Sequence, residues 1–484
     1  MVFNSPLFLF LFLPLFFILY LLAKKRFRRI IGLVGSLLFF SWAQLFYVPV
    51  MAGIILWNYW IGLRLIKNKE KTCSKCYLWL GIGGDLLTLV GFKVIATYGI
   101  NWITLDKLTF SEKIVNSLGQ VAFPLGLSYI LFQTISYLVD VYKGRIESEK
   151  SIINFSLYIM LFPKILVGPI TRYKTVATSF PDPDPTNEDV ANGIRRFIQG
   201  FAKKILIADI LALFVDAAFR IGPRSLTTKL AWLAIIAYMV QIYFDFSGYT
   251  DMALGLGKMM GFRFEENFNF PYISQSMGEF WRRWHISLSN WFRDYLFYPL
   301  ERRRIKFYGQ QLNIMIVFLL TGIWHGISKT FVMWGLLHGA FLVIESLFLA
   351  KFLRKIFRPL RHIYVLISVL ITWIVFRSPN LKSAWEFLLR LLGSFDIYTP
   401  VPFSQSSPLP FIEPSFLIAL VIGLILSMPV GPFFIDIKQR IKTKFPRMFI
   451  PLRLFTDILL FFLLIISIAW MANSEFTPGI YNNF

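Results

Sequence analysis

Two of the four histidines in this chain lie in tryptophan-containing, strongly apolar sequence. His285 stands in WRRWHISLS, residues 281–289, and His325 stands in TGIWHG, residues 321–326. Neutral imidazole, with an unperturbed pKa near ~6.5, can accept a proton from a hydroxyl group at neutral pH. A polar, titratable side chain is costly at membrane depth, so histidines placed there indicate a functional site.

His325 lies near the end of the run Leu312–Ile327, which contains no Asp, Glu, Lys or Arg. Thr321 precedes it by one helical turn, Trp324 is its neighbour, and the glycines that flank it permit a close approach to the backbone. From the residues alone, three roles stay open for His325: a catalytic base, a proton relay or a buried structural group.

The sequence around His285 predicts an amphipathic helix over Phe280–Leu300 that lies in the membrane interface. On a helical wheel Trp281, Trp284 and His285 fall on the apolar side, and the arginines fall on the opposite side. His285 is therefore expected either to be buried with a hydrogen-bonding partner or to face a site.

A third polar group occurs in Gln241–Asp251, which is too polar for a helix that faces lipid. If this segment is helical, Asp245 and Tyr249 lie one turn apart on one face. A carboxylate near membrane depth must be paired or must line water. Two interpretations stay open: a polar seam that locks helices together, or a part of the functional site.

The elements that must position these residues are membrane helices. Of the 484 residues 56% are hydrophobic and the mean hydropathy is +0.61, whereas soluble domains contain about 45–50% apolar residues. Runs such as Leu7–Ala23 and Ile458–Met471 approach the ~20 residues that cross the hydrocarbon as a helix. The sequence predicts an all-α polytopic membrane protein with about eleven to thirteen membrane helices, some of them re-entrant or interfacial.

The net charge of +23 comes from short basic segments beside apolar runs. This is the positive-inside pattern, so membrane lipid is expected around the chain and nucleic acid is excluded as a partner. Basic residues follow the first run in Lys24–Arg29 and precede the last one in Lys438–Arg447. Both termini are therefore expected outside the cytoplasm, as is the loop over residues 378–414.

Two shorter features complete the survey. Cys73 and Cys76 form a lone C-x-x-C pair without further ligands nearby, so no metal site is predicted. The proline-rich segment Pro181–Pro185 predicts a rigid turn, after which Thr186 or Asn187 should cap the next helix.

At the two histidines the chain resembles the membrane-bound O-acyltransferase family, in particular its bacterial alginate O-acetyltransferase branch, to which the teichoic acid D-alanyl transfer proteins are related. The resemblance runs nearly end to end. The matching segments are Leu56–Gly62, Phe132–Tyr142, Phe162-Pro163 with Gly168–Ile170, Lys203-Lys204 with Ala208-Asp209, Phe244–Tyr249, Trp281–Ser289 and Trp324–Gly326.

The resemblance implies a ring of helices around a thinned centre, crossed by a tunnel that joins a cytosolic donor to an acceptor on the other face. It implies one domain over 1–484, with N-terminal spans in 1–120, the catalytic centre in 121–345 and C-terminal spans in 346–484. His325 matches the family's catalytic histidine, and His285 matches its second characteristic polar position. Asp245, Tyr249, Thr321 and the tryptophans Trp281, Trp284 and Trp324 are expected to line or support the tunnel.

The resemblance also implies the substrates. The donor would be a thioester, acetyl-CoA or an acyl-loaded carrier protein, and no bound cofactor is expected. The acceptor would be an extracytoplasmic polysaccharide or a secreted partner protein, reached from the bacterial inner membrane. A proton-coupled transporter or flippase is the alternative, because Asp245 and the two histidines could also relay protons.

Overall fold

The computed structural model describes residues 3–67, 73–98, 123–166, 168–304, 306, 309–393 and 412–473. These residues form helices and contain no β-strand, which confirms the all-α prediction. A helix satisfies its own backbone hydrogen bonds, as the interior of a bilayer requires. The α-helices are Leu13–Leu22, Lys25–Gln44, Val48–Lys67, Cys73–Tyr98, Leu127–Tyr142, Ile152–Met160, Phe162–Ile165, Tyr173–Val176, Asn187–Ala202, Ile210–Ile221, Thr228–Met259, Met277–Arg283, Ile286–Phe292, Tyr298–Glu301, Gly309–His325, Lys329–Ile344, Ala350–Leu353, Arg358–Arg377, Leu381–Leu391, Pro414–Leu426, Val430–Lys444 and Pro446–Asn473.

Shorter helices of other kinds interrupt or extend these elements. Among the described residues, four π-helices occur at Phe8–Phe12, Lys203–Asp209, Arg293–Phe297 and Glu345–Leu349. Three-residue 3₁₀ turns occur at Leu45–Tyr47, Ala177–Ser179 and Pro271–Ile273.

Six of the described helical stretches are long and apolar enough to cross a membrane, or seven if the bent pair Pro414–Leu426 and Val430–Lys444 counts as one span. Shorter helices such as Leu127–Tyr142 and Gly309–His325 fall below that length. The chain is therefore a multi-pass membrane protein, and the expectation of eleven to thirteen membrane helices includes the shorter elements.

The chain forms two compact units, one made of Met1–Ile194 and Ala253–Glu265, the other of Arg195–Met252 and Glu266–Asn483. A buried carboxylate, that of Asp85, connects helices in the core of the first unit. The Asp85 carboxylate, 1% exposed, accepts hydrogen bonds from Asn58 Nδ2 at 2.8 Å and from Thr134 Oγ1 at 2.7 Å. Three helices that are distant in sequence are thus joined by one carboxylate.

Aromatic packing fixes the start of the chain in the first unit. Phe3, Phe8 and Phe12 pack around the ring of Phe162, with centroid distances of 6.5, 6.4 and 5.5 Å.

Thr186 caps the Asn187–Ala202 helix, because its Oγ1 accepts the backbone N–H of Asp189 at 3.1 Å. The predicted cap is thereby resolved in favour of Thr186.

The single helix predicted over Phe280–Leu300 is wrong. The chain forms a helix over Met277–Arg283, breaks at Trp284 and His285, and continues as Ile286–Phe292, Arg293–Phe297 and Tyr298–Glu301. The break occurs because His285 adopts a left-handed backbone conformation, with φ 43° and ψ 55°. A helical wheel drawn across this position therefore does not describe the side chains correctly.

Candidate active site

All the residues that the sequence singled out for chemistry lie in the second unit. His325 is the last residue of the Gly309–His325 helix, which is followed by the Lys329–Ile344 helix. A Cβ atom on Gly322 would lie 2.4 Å from the carbonyl oxygen of Phe331, and one on Gly335 would lie 2.3 Å from that of Phe318. Gly322, three residues before His325, thus allows the Lys329–Ile344 helix to approach closely. The sequence alone did not identify this helix as the neighbour.

The imidazole of His325 is enclosed by aromatic rings and is 5% exposed. Trp334 and Phe376 present their rings nearly perpendicular to it, with centroids at 5.0 and 5.4 Å. Trp324 lies at 4.6 Å and Phe331 at 6.3 Å. The four aromatic side chains thus fix the position of the imidazole at the end of its helix.

Thr321 precedes His325 by one turn and is also buried, at 3% exposure. Its hydroxyl group donates a hydrogen bond to the carbonyl oxygen of Val317 at 2.8 Å. Because this hydroxyl group already donates to the preceding turn, it does not need another acceptor. Its methyl group and an oxygen lone pair can therefore face the cavity that is described below.

Hydrogen bonds to Asn267 hold His285 in its left-handed backbone conformation. A left-handed conformation costs a residue other than glycine about 1–3 kcal/mol and persists only where the surroundings enforce it. Here Asn267 Oδ1 accepts hydrogen bonds from the N–H of Ser287 at 3.1 Å and from its hydroxyl at 2.9 Å. The backbone oxygen of Asn267 accepts from the N–H of Ile286 at 2.9 Å.

The same amide oxygen determines the tautomer of His285. His285 Nδ1 lies 3.1 Å from Asn267 Oδ1, which must be an acceptor because a backbone N–H points at it. Nδ1 therefore carries the proton. Burial lowers the pKa of His285 to about 3, so the ring is neutral and Nε2 is its basic nitrogen. The ring packs edge-on against Phe246, with centroids 4.7 Å apart.

Asp245 belongs to a buried charged triad with Lys204 and Asp209. Lys204 Nζ lies 2.6 Å from a carboxylate oxygen of Asp245 and 2.6 Å from one of Asp209. All three residues are at most 9% exposed. The ion pair expected for Asp245 is present. Tyr249 follows one turn later in the Thr228–Met259 helix and is half-buried.

A π-helix makes this triad possible. Lys204 and Asp209 are five residues apart within Lys203–Asp209. In an α-helix such residues point in different directions, whereas the π-helix, whose backbone hydrogen bonds join residues five apart, brings them to one face. The two nearby carboxylates raise the pKa of Lys204, so it remains a cation. In the sequence, Lys204 and Asp209 stand out only as part of a family resemblance, since nothing in their spacing predicts a π-helix.

A continuous series of aromatic contacts connects the surroundings of the two histidines. Trp284, the residue before His285, lies 5.1 Å from Trp373. Trp373 lies 5.5 Å from Phe376, which in turn packs against His325. Sequence reasoning missed Trp373, Phe376 and Asn267, because each reaches the site from a distant segment.

A cavity of about 740 Å³ lies in the second unit, and neither His285 nor His325 is among its lining residues. Its wall includes Trp281 and Thr321 of the predicted site, together with Leu288, Phe292, Val317 and Phe318. Thr321 places the wall one helical turn from His325. A space of this size is in the range of small-molecule sites, about 300–1,000 Å³.

The rim of the cavity is cationic. Arg282, Arg293, Arg354 and Arg361 line it, against the two carboxylates of Glu279 and Glu345. Both carboxylates are engaged: Glu279 pairs with Arg283 at 2.9 Å, and Glu345 accepts the N–H groups of Met277 and Gly278 at 2.5 and 3.0 Å. Within the described ranges no carboxylate forms an ion pair with Arg282, Arg354 or Arg361. This rim is suited to an anionic ligand.

Comparisons with known proteins agree with the resemblance. The sequence matches the model of the membrane-bound O-acyltransferase family over residues 145–384. A probable alginate O-acetylase of Azotobacter vinelandii is 41% identical over 398 residues, 82% of this chain and 79% of that protein. A peptidoglycan O-acetyltransferase of Helicobacter pylori is 31% identical, with 81% of this chain and 80% of that protein covered. A teichoic acid D-alanyltransferase of Bacillus subtilis is 31% identical over 46% of this chain and 59% of that protein.

Proposed function

The chain belongs to the membrane-bound O-acyltransferase family, and from this premise we propose that it transfers an acetyl group from a cytosolic thioester to hydroxyl groups of a polysaccharide outside the cytoplasm, directly or through a partner protein. Two well-covered relatives carry names that specify O-acetylation of alginate and of peptidoglycan. The membership makes the chain an O-acyltransferase rather than the transporter that the buried polar residues also allowed.

The observation that carries the proposal is the position of His325. It lies at the end of an apolar helix, buried among aromatic rings, one turn from a cavity wall. In the proposed reaction a nitrogen of His325 takes the proton of the acceptor hydroxyl as its oxygen attacks the thioester carbonyl carbon. The tetrahedral intermediate then collapses, the carbon–sulfur bond breaks, and the imidazolium returns the proton to the departing thiolate.

His285 acts as a positioning group in this mechanism. Its Nδ1 is held by Asn267, and its Nε2 has a lone pair that can accept a hydrogen bond from an acceptor hydroxyl. A neutral ring held in one tautomer by a buried amide is suited to orienting a substrate. Orientation of this kind is a large part of the rate advantage of an enzyme.

The cavity with its arginine rim is the proposed route for the donor. Acetyl-CoA and the arm of a carrier protein both join a thioester to phosphate groups through a flexible chain. Arginine side chains pair well with phosphates, and the apolar wall beside Thr321 fits the uncharged part of the arm.

The reaction is tested with the purified full chain in proteoliposomes. Acetyl-CoA and an acetyl-loaded carrier protein are offered in separate arms, each with deacetylated alginate or peptidoglycan as the acceptor. Release of free thiol and acetyl groups on the polymer are both measured. Transfer from one donor supports the proposal and identifies the donor. If folded protein releases no thiol and acetylates no polymer in any arm, the proposal is wrong.

We further place the chain in a bacterial inner membrane with both termini outside. Lys442→Cys and Glu413→Cys are introduced into a chain whose exposed Cys73 and Cys76 are replaced by serine. In intact cells a membrane-impermeant maleimide should label position 413 and spare position 442, where the positive-inside rule predicts the cytoplasm. Labelling of position 442 without permeabilisation would overturn this topology.

A further inference from the structure

A third histidine lies between the cavity wall and the aromatic enclosure of His325. His338 is on the Lys329–Ile344 helix and is 0% exposed. Its ring centroid is 5.0 Å from that of Trp281 and 4.7 Å from that of Trp334. Trp281 lines the cavity, and Trp334 packs against His325. The mechanism described above makes no use of this residue.

One hydrogen bond fixes the chemical state of His338. Its Nδ1 lies 3.2 Å from the indole Nε1 of Trp281. An indole nitrogen only donates, so Nδ1 must be an unprotonated acceptor and the proton of the neutral ring is on Nε2. This is the tautomer opposite to that of His285, and it leaves His338 unable to accept a second proton without losing the bond to Trp281.

The bond determines where the Trp281 indole stands. Trp281 also packs against Phe318 and Trp334, at 5.0 and 5.9 Å, but ring packing alone permits several rotations of an indole. Leaving a buried indole N–H without an acceptor is unfavourable, so the hydrogen bond favours the rotation that has one. The bond to His338 selects the rotation in which the indole forms a wall of the cavity.

We propose that His338 is a positioning residue for acyl transfer: its Nδ1 anchors the indole of Trp281 in the cavity wall. The inference rests on the proposed function, because it assigns the cavity to the donor. It predicts that the acceptor nitrogen of His338 matters for turnover, whereas its ability to bind a proton does not.

The test uses three variants of the purified full chain. His338→Asn places an amide oxygen near the position of Nδ1 and keeps an acceptor for Trp281. His338→Leu fills a similar volume without an acceptor, and Trp281→Phe removes the donor. We expect His338→Leu to lower kcat about 10–100-fold, the loss that a small misplacement of reacting groups produces. His338→Asn should recover most of that loss, with the pH dependence of kcat unchanged.

A double-mutant cycle separates positioning from bulk packing. Adding His338→Leu to Trp281→Phe should cost little further activity, because the bond is already absent. Thermal unfolding and elution volume in detergent show that each variant is folded. Parental kcat in folded His338→Leu would overturn the inference, and so would equal, additive losses in the two backgrounds. If His338→Leu does not fold, a loss in His338→Asn as large as that in Trp281→Phe overturns it instead.

His325→Ala in the same preparations keeps the two proposals apart. If it remains active, the proposed base is wrong, whatever the His338 variants do. If it is inactive while folded His338→Leu turns over at the parental rate, only the positioning role of His338 fails.

Discussion

The second unit buries two kinds of polar side chain. Lys204, Asp209 and Asp245 form a charged triad in which each ion has an opposite charge at 2.6 Å. His285, His325 and His338 are buried neighbours of aromatic rings. The triad contains its own counter-charge, whereas His285 and His338 are neutral rings whose tautomers are determined by the hydrogen bonds to Asn267 and Trp281.

Substitutions in the triad and at the histidines should therefore affect different properties of the protein. Removing one partner of a buried ion pair leaves an uncompensated charge and destabilises the fold. Replacing a neutral imidazole leaves no uncompensated charge, but a proton acceptor is lost with it. We therefore expect the triad to determine whether the protein folds and the histidines to determine whether it turns over.

The largest effect is expected at His325. His325→Ala should lower acetyl transfer by about 10²–10⁴-fold, the contribution typical of a general base, while the melting temperature stays near the parental value. Matched amounts of both proteins are compared in the thiol-release assay. His362→Gln is the control, because His362 is half-buried and contacts the backbone of Ser274. Near-parental turnover by His325→Ala would remove it from the mechanism.

Substitutions in the charged triad should lower the stability of the protein before they affect its chemistry. Lys204→Met leaves two buried carboxylates without their cation and should destabilise the protein by about 3–5 kcal/mol. Asp245→Asn should cost less, since Lys204 retains Asp209. Lys203→Met is the control, because the neighbouring lysine is more exposed and its partner Asp251 keeps Arg196. If Asp245→Asn melts like the parent and yet loses all activity, the division between stability and chemistry does not hold.

His285 should show an intermediate loss. Asparagine tolerates the left-handed conformation better than most residues, and its amide can donate to Asn267 Oδ1. His285→Asn should therefore keep part of the activity, and His285→Ala should keep less. Burial lowers the pKa of His285 to about 3, so its ring stays neutral from pH 5 upwards. Protonation of His285 should therefore not lower kcat in that pH range. A loss in His285→Asn equal to that in His325→Ala would merge the two roles.

The smallest effect is expected at the rim of the cavity. Arg282→Gln combined with Arg354→Gln should raise KM for the thioester several-fold and change kcat little, since both side chains are exposed and screened by salt. The increase should shrink as ionic strength rises. Lys355→Gln, a nearby exposed cation, is the control. A fall in kcat at unchanged KM would place these arginines elsewhere in the reaction cycle.

The sequence identified candidate site residues, but it did not predict the contacts that hold them. Apolar runs predicted the helices, and local chemistry predicted the cap at Thr186. Burial arguments predicted a partner for Asp245 without identifying Lys204, because that partner depends on a π-helix. The break at His285 escaped periodicity, since Asn267, which enforces it, lies on another segment. His338 was missed because only the tertiary contact with Trp281 distinguishes it from a buried apolar position.

The contact between Gly322 and Gly335 has a consequence for natural variation. Alanine is a better helix former than glycine, so Gly335→Ala would be judged harmless from chemical similarity alone. Here the added methyl group would meet a backbone oxygen at 2.3 Å, which cannot move aside as a flexible side chain would. The two helices would have to separate, and His325 would shift with the first of them. The position of the imidazole therefore depends on the spacing of two backbones as well as on the residues that touch it.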